Sequence, residues 1–273
     1  MRAQRALAVI GTLLALIATA PAQASVFYLS LGTSLSVGVQ PNPGGQNRRT
    51  QEGYADQLHA ALNQTNLRLV KLGCPGETTI TMITGSICDY ELGSQLAQAV
   101  SFLQDHQGSV ALVTIDMGAN DIEPCGSLDG IDPACVAQAF ANVGGNLPYI
   151  LGVLREAAGP GVPIVGTNYY NPFVAAWFVN PALAEESRLA LLFFNALLGG
   201  IYTAFSVPVA DVAATFHAGD PFPDAGIPLG VLLVCQWTWM CAAPPVGPNI
   251  HANAEGYGVI AGAFLTVLFP DQG

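Results

Sequence analysis

From Val26 onward the chain alternates between short apolar runs and longer stretches in which apolar residues recur every three or four positions. The runs at 26–32, 67–72, 110–117, 162–167 and 207–212 have strand length, and 110–117 is apolar almost without a break, as in a strand covered on both faces. Tyr54, Leu58, Ala61 and Leu62 predict a helix over 54–63; Leu96, Val100 and Leu103 predict another over 94–106. Residues 134–158 are helical in pattern, but Gly144, Gly145 and Pro148 predict a kink or two separate helices. A long apolar helix is expected over 182–205 after Pro181, and a last one over 253–268. Residues 38–53 read as a polar surface loop. Residues 217–250 show no regular element, although Cys235, Trp237 and Trp239 argue against disorder. Five strands alternating with helices imply an α/β domain whose parallel sheet is covered on both faces.

Composition adds a compartment and a sign of charge. Residues 1–24 read as a secretory signal peptide: Arg2 and Arg5 form the charged start, 6–20 the apolar stretch, and Ala22-Gln23-Ala24 a small-residue cleavage site. No later run suggests a second membrane segment, so 25–273 is expected as a single secreted, extracellular domain without a membrane span. The whole chain carries −11, and −13 once Arg2 and Arg5 are removed. Such a surface repels nucleic acid and anionic membranes. Half of the residues are hydrophobic and a tenth charged, which leaves an ample core and apolar surface for a greasy ligand. All six cysteines fall in the mature part, where an even count points to three disulfides. Of fifteen possible pairings the sequential one is expected (74 with 88, 125 with 135, 235 with 241), because each pair brackets a Gly- or Pro-containing loop. The cysteines contain no Cys-x-x-Cys and the four histidines are scattered, so no metal is expected.

Candidate chemistry collects at the strand ends. The first apolar run breaks at Gly32 and presents Ser34 at the strand's carboxyl end, the edge where open α/β sheets bind ligands. A serine becomes a nucleophile only with a base and an oxyanion site. His251, at a late loop-to-helix junction, is the first candidate base and His217 the second; His59 and His106 fall in or at the end of helices, where a solvated or capping role is the default. The Gly76 N–H after strand two and the Asn120 amide after strand three are candidate oxyanion donors. A parallel sheet brings all of these to one rim.

In order along the chain these residues resemble the SGNH or GDSL hydrolase family. Gly32-Thr33-Ser34-Leu35 looks like its Gly-Asp-Ser-Leu block and Cys74-Pro75-Gly76-Glu77-Thr78 like its glycine block; Gly118-Ala119-Asn120-Asp121 is its Gly-x-Asn-Asp block, and His251 with 253–257 is similar to its histidine block. The resemblance implies a flavodoxin-like three-layer α/β/α sandwich with a five-stranded parallel sheet, ester hydrolysis without a cofactor, Ser34 as nucleophile, His251 as base, and Ser34 N–H, Gly76 and Asn120 as the oxyanion hole. No Gly-x-Ser-x-Gly occurs, which argues against the α/β-hydrolase superfamily.

Two positions depart from the pattern. Thr33 replaces the first block's aspartate, and Pro248 stands where the family's histidine-supporting aspartate would be. A Ser-His dyad is therefore expected, with a backbone oxygen near Pro248 accepting the His251 Nδ1–H and activity climbing toward mildly alkaline pH. Asp211, Asp220 and Asp224 are the carboxylates that a rebuilt triad would use. The expected protein is a secreted carboxylesterase or lipase acting on a small-molecule or lipid ester through an acyl-enzyme, with 173–179 and 227–239 lining an acyl pocket. Alternatives are a polysaccharide O-acetyl esterase and a catalytically inactive secreted binding module on the same fold.

Overall fold

The computed structural model describes residues 25–127 and 130–270; the signal peptide expected at 1–24 lies outside the described residues. Five parallel strands make the central sheet: β1 (Val26–Gly32), β2 (Leu67–Lys71), β3 (Val110–Asp116), β4 (Ile164–Thr167) and β5 (Val209–Ala210), in the order β2-β1-β3-β4-β5. The strand leading to Ser34 is thus flanked by β2 and β3, and Gly32 pairs with Asp116 at the end of the ladder. Alternation along each strand feeds two cores. Leu29, Leu31, Val113, Ile115 and Ile164 pack on one face, with helices α3 (Gln95–Asp105), α5 (Pro133–Ala158) and α6 (Pro181–Ala204). Tyr28, Leu112, Val165 and Ala210 pack on the other, with α1 (Tyr54–Leu62), α7 (Val212–Thr215), α8 (Leu229–Trp237) and α9 (Ala254–Leu268). Two short helices begin beside the site, α2 (Thr79–Thr84) and α4 (Ala119–Ile122). The result is the three-layer α/β/α sandwich anticipated from the strand–helix alternation.

The departures have local causes. Helix α5 runs unbroken through Pro148, because Leu147, Ile150, Leu151 and Leu154 on its inner side are buried in the first core and hold the rod in place. Helix α8 lies inside the stretch expected to be irregular; nearly every residue of Leu-Gly-Val-Leu-Leu-Val-Cys-Gln-Trp is apolar, so no periodicity marks it. The loop at 38–53 holds a hairpin of Val39–Pro41 with Asn47–Arg49. Residues 173–179 are mostly a 3-10 helix, Pro172–Phe178, capped by the Asn171 side chain.

Disulfides join Cys74 to Cys88, Cys125 to Cys135 and Cys235 to Cys241, the sequential pairing. One described helix, α6, is long and apolar enough to cross a membrane. Its Phe194, Leu198, Ile201 and Tyr202 nevertheless belong to the core against the sheet.

Candidate active site

The turn after β1 is held from three directions. Gly32 has φ +128°, and a Cβ there would sit 2.4 Å from the Asp116 carbonyl oxygen, so the position demands glycine. Gln95, fully buried at the start of α3, accepts from Gly32 N at 2.6 Å and donates to Gly32 O at 2.9 Å. Asp116, also fully buried, accepts from Thr33 N at 2.8 Å, from Thr33 Oγ1 at 2.6 Å and from Tyr54 OH at 3.0 Å. Burial pushes this carboxyl up to about 7 against the pull of those three donors. Ser34 follows at once, 8 % exposed at the edge of the sheet.

The glycine block forms a turn in which Glu77 N donates to Cys74 O, with Pro75 and then Gly76 at φ +83° in the middle. That is the residue order a type II turn prefers. Gly76 is exposed, and nothing lies within 4 Å of where its Cβ would be. The next residue ties this turn to the third block, since Asn120 Nδ2 donates to Glu77 O at 2.9 Å. One amide N–H of Asn120 is thereby anchored, which fixes where the other points. Asp121 secures the same junction by accepting from Thr79 N and Thr79 Oγ1 at 2.9 and 2.6 Å. Gln95 closes the circuit by donating to Glu77 Oε2 at 3.0 Å.

His251 is held from the opposite side and is also 8 % exposed. Its Nδ1 lies 2.7 Å from Asn249 Oδ1, which accepts the His251 main-chain N–H at 3.1 Å as well. Asn249 Nδ2 donates to Asn47 Oδ1 at 2.8 Å. Because a backbone N–H can only donate, the atom facing it must be the amide oxygen, and that orientation places the proton on Nδ1 and leaves Nε2 as the acceptor. The neutral partner of the imidazole is therefore the Asn249 side chain, not the main-chain oxygen expected near Pro248. The sequence pattern pointed three residues before the histidine, and the structure uses two. Nor does a rebuilt triad form: Asp211 caps α7, and Asp220 pairs with His217 at 2.7 Å. Burial lowers His251 to about 4. The alkaline climb was expected from a neutral partner stabilising the imidazolium less, and a lowered imidazole value carries the inflection toward acid.

Ser34, Asn120, Pro248 and His251 line one cavity of about 780 Å³. Gly76 is not part of its lining, and its connection to the site runs through Glu77 and Asn120. His217 instead lines a smaller cavity of about 220 Å³ together with Arg188 and Phe222. The rest of the large chamber is mainly apolar, with Phe173, Phe178, Leu183, Leu191 and Phe194 along its walls. The disulfide residues Cys125, Cys235 and Cys241 border it too, so two of the three bridges staple its rim. Residues 173–179 do line this chamber, as expected, whereas of 227–239 only Cys235 does. Among the described residues no group of three His, Cys, Asp or Glu is placed to hold a metal ion. Asp116, Gln95 and Asn249 were not anticipated as site residues.

The same architecture recurs in solved structures. An extracellular lipase from Streptomyces rimosus matches with a TM-score of 0.56 and 20% identity over 89% of this chain and 100% of its own. A phospholipase A1 from Streptomyces albidoflavus NA297 matches with 0.58 and 20% over the same shares. An acetyl xylan esterase from Geobacillus stearothermophilus matches with 0.55 and 15%, covering 90% of this chain and 95% of its own. No curated protein sequence matches the chain. The fold is thus that of the GDSL/SGNH hydrolases. The model of the GDSL-like Lipase/Acylhydrolase family matches residues 30–259, and the chain belongs to that family.

Proposed function

We propose that this protein is a secreted serine ester hydrolase whose substrates carry a medium or long acyl chain. The observation that carries this reading is the 780 Å³ apolar chamber, with Ser34, Asn120 and His251 on its wall. Ser34 Oγ attacks the ester carbonyl while His251 Nε2, the acceptor nitrogen set by Asn249, takes the hydroxyl proton. Negative charge develops on the carbonyl oxygen beside Ser34 N–H and the Asn120 amide, the latter anchored on Glu77 O next to Gly76; one such donor is worth about 3 kcal/mol in the transition state. The imidazolium then protonates the departing alcohol, leaving an acyl group on Ser34. Water, activated by the same nitrogen, releases the acid. Three disulfides are compatible with an oxidising compartment and support secretion.

The polysaccharide deacetylase alternative draws support from the acetyl xylan esterase neighbour. The lining speaks for a lipid acyl chain instead, since none of Trp177, Trp237 and Trp239 borders the chamber to offer a sugar a stacking platform. The test is hydrolysis of nitrophenyl esters of graded chain length beside acetate release from acetylated xylan. Turnover that rises with chain length through C8 and beyond is expected; release of acetate from xylan with no activity on longer esters overturns the acyl assignment.

The Asn249 contact makes a prediction about pH. With a neutral partner and burial holding His251 near 4, kcat/KM should stay level down to about pH 5 and fall only below it. In Asn249→Asp a carboxylate would face Nδ1, favour the imidazolium and move the acidic limb upward by about one pH unit or more. Coincident profiles for the two enzymes would remove Asn249 from this role.

A further inference from the structure

Helix α6 is apolar on both of its faces. It turns Leu183, Leu191 and Phe194 into the chamber and leaves Leu189, Leu192 and Phe193 in solvent at 40, 44 and 64 % exposure. A helix apolar all round belongs inside a protein or a bilayer, yet only 28 % of the most apolar 18-residue window of α6 is buried. The 3-10 helix Pro172–Phe178 packs directly against it. Phe178 and, just beyond it, Val179 both border the chamber and stand 52 and 82 % exposed, so apolar surface reaches the mouth, where the exposed Glu123 is the one Asp, Glu, Lys or Arg among the described lining residues. Charge is missing as well: no Asp, Glu, Lys or Arg occurs from Ala157 to Ala184 or from Leu189 to Ala210. Between these spans Glu185 and Arg188 neutralise each other at 2.6 Å, and the exposed Glu186 is left as a single net negative charge.

Resting on the ester-hydrolase reading, we infer that this face docks on the surface of aggregated neutral or zwitterionic lipid and seats the chamber mouth against it. A patch of this kind marks a protein or membrane contact, and the shared residues at the mouth decide between them. A second protein copy covering Phe178 and Val179 would seal the route that the acyl chain must take, whereas a lipid surface supplies the chain. The headgroup class follows from the net charge of −11, which opposes an anionic surface.

The test uses Ser34→Ala, so that binding is read without hydrolysis, in flotation with phosphatidylcholine and with phosphatidylglycerol vesicles. Binding to phosphatidylcholine is expected, at least tenfold weaker binding to phosphatidylglycerol, and at least tenfold loss when Leu189→Glu and Phe193→Glu are added. On the otherwise wild-type background that double variant should hydrolyse a soluble short-chain ester as before. Phe269→Glu, an apolar site as exposed as Leu189 and beyond α9 in the opposite layer, is the control and should leave vesicle binding unchanged. Absence of phosphatidylcholine binding, equal loss in the Phe269 control, or a solution dimer that the double variant dissociates each overturns the docking surface. If wild type hydrolyses no ester of the graded series, short or long, while vesicles are still bound, the hydrolase reading falls and the docking surface stands.

Discussion

Ser34→Ala should abolish ester turnover, with kcat lower by at least about 10³-fold, while the protein melts within about 1 kcal/mol of wild type. The size of the effect follows from the proposed acyl-enzyme, which has no covalent bond to form without Oγ. The mildness of the structural effect follows from the scaffold, because the groups that shape the turn are its neighbours. Gln95 and Asp116 hold Gly32 and Thr33, and none of those bonds uses the Ser34 hydroxyl. A fluorophosphonate should label wild type on the peptide containing Ser34 and leave the variant unlabelled. Full activity in Ser34→Ala, or label recovered on another residue, would end the assignment.

Asp116→Ala should be the costliest change in the site for stability. It leaves Thr33 N–H, the Thr33 hydroxyl and the Tyr54 hydroxyl without their buried acceptor. Each orphaned buried donor costs about 1–3 kcal/mol, partly offset because the charged carboxylate is itself expensive to bury, so a net loss of about 2–4 kcal/mol is expected. With the turn slack, kcat should fall tenfold or more and KM change little. Asp116→Asn separates tethering from charge. It keeps one acceptor oxygen for Thr33, so more activity should survive than in the alanine variant. It also removes a titration. The folded-state value near 7 lies above that of an unfolded aspartate, so the folded protein holds the proton more tightly. The contribution is present below about pH 4 and is lost as pH rises through about 7. His251, lowered to about 4, gives the opposite slope between there and its unfolded value, so the useful quantity is wild type minus Asp116→Asn in urea unfolding at pH 5 and pH 8. A difference that does not change between the two would show that Asp116 does not titrate in this range.

What the sequence revealed of this site, and what it hid, divides along local and non-local lines. The strand that breaks at Gly32, the Cys74-Pro75-Gly76 turn and the Gly118-Ala119-Asn120-Asp121 segment are local signals, each shaped by backbone demands that a few adjacent residues meet. Asp116 carries no such signal. It ends an apolar run, and its meaning comes from Gly32 and Thr33, which the parallel pairing of β1 with β3 places opposite it. Gln95 is hidden in the same way, since the first residue of a helix reads as solvated until the helix is packed over β1. Asn249 stands beside Pro248, one residue past the position where the family pattern puts a supporting group, so its sequence neighbours give it no signal of its own. The sheet and most helices were legible because burial imposes periodicity. Helix α8, apolar on nearly every side, offered no period to read.

The chain order of the site also has a biosynthetic meaning. Residue 34 leaves the ribosome early and residue 251 late, and the proposed base depends on Asn47 reaching Asn249 across most of the sequence. A nascent polypeptide that has already built β1, β2 and β3 would still hold an inert hydroxyl. A product truncated before Asn249 would therefore carry Ser34 without its proposed base, and should be inactive however well its sheet forms.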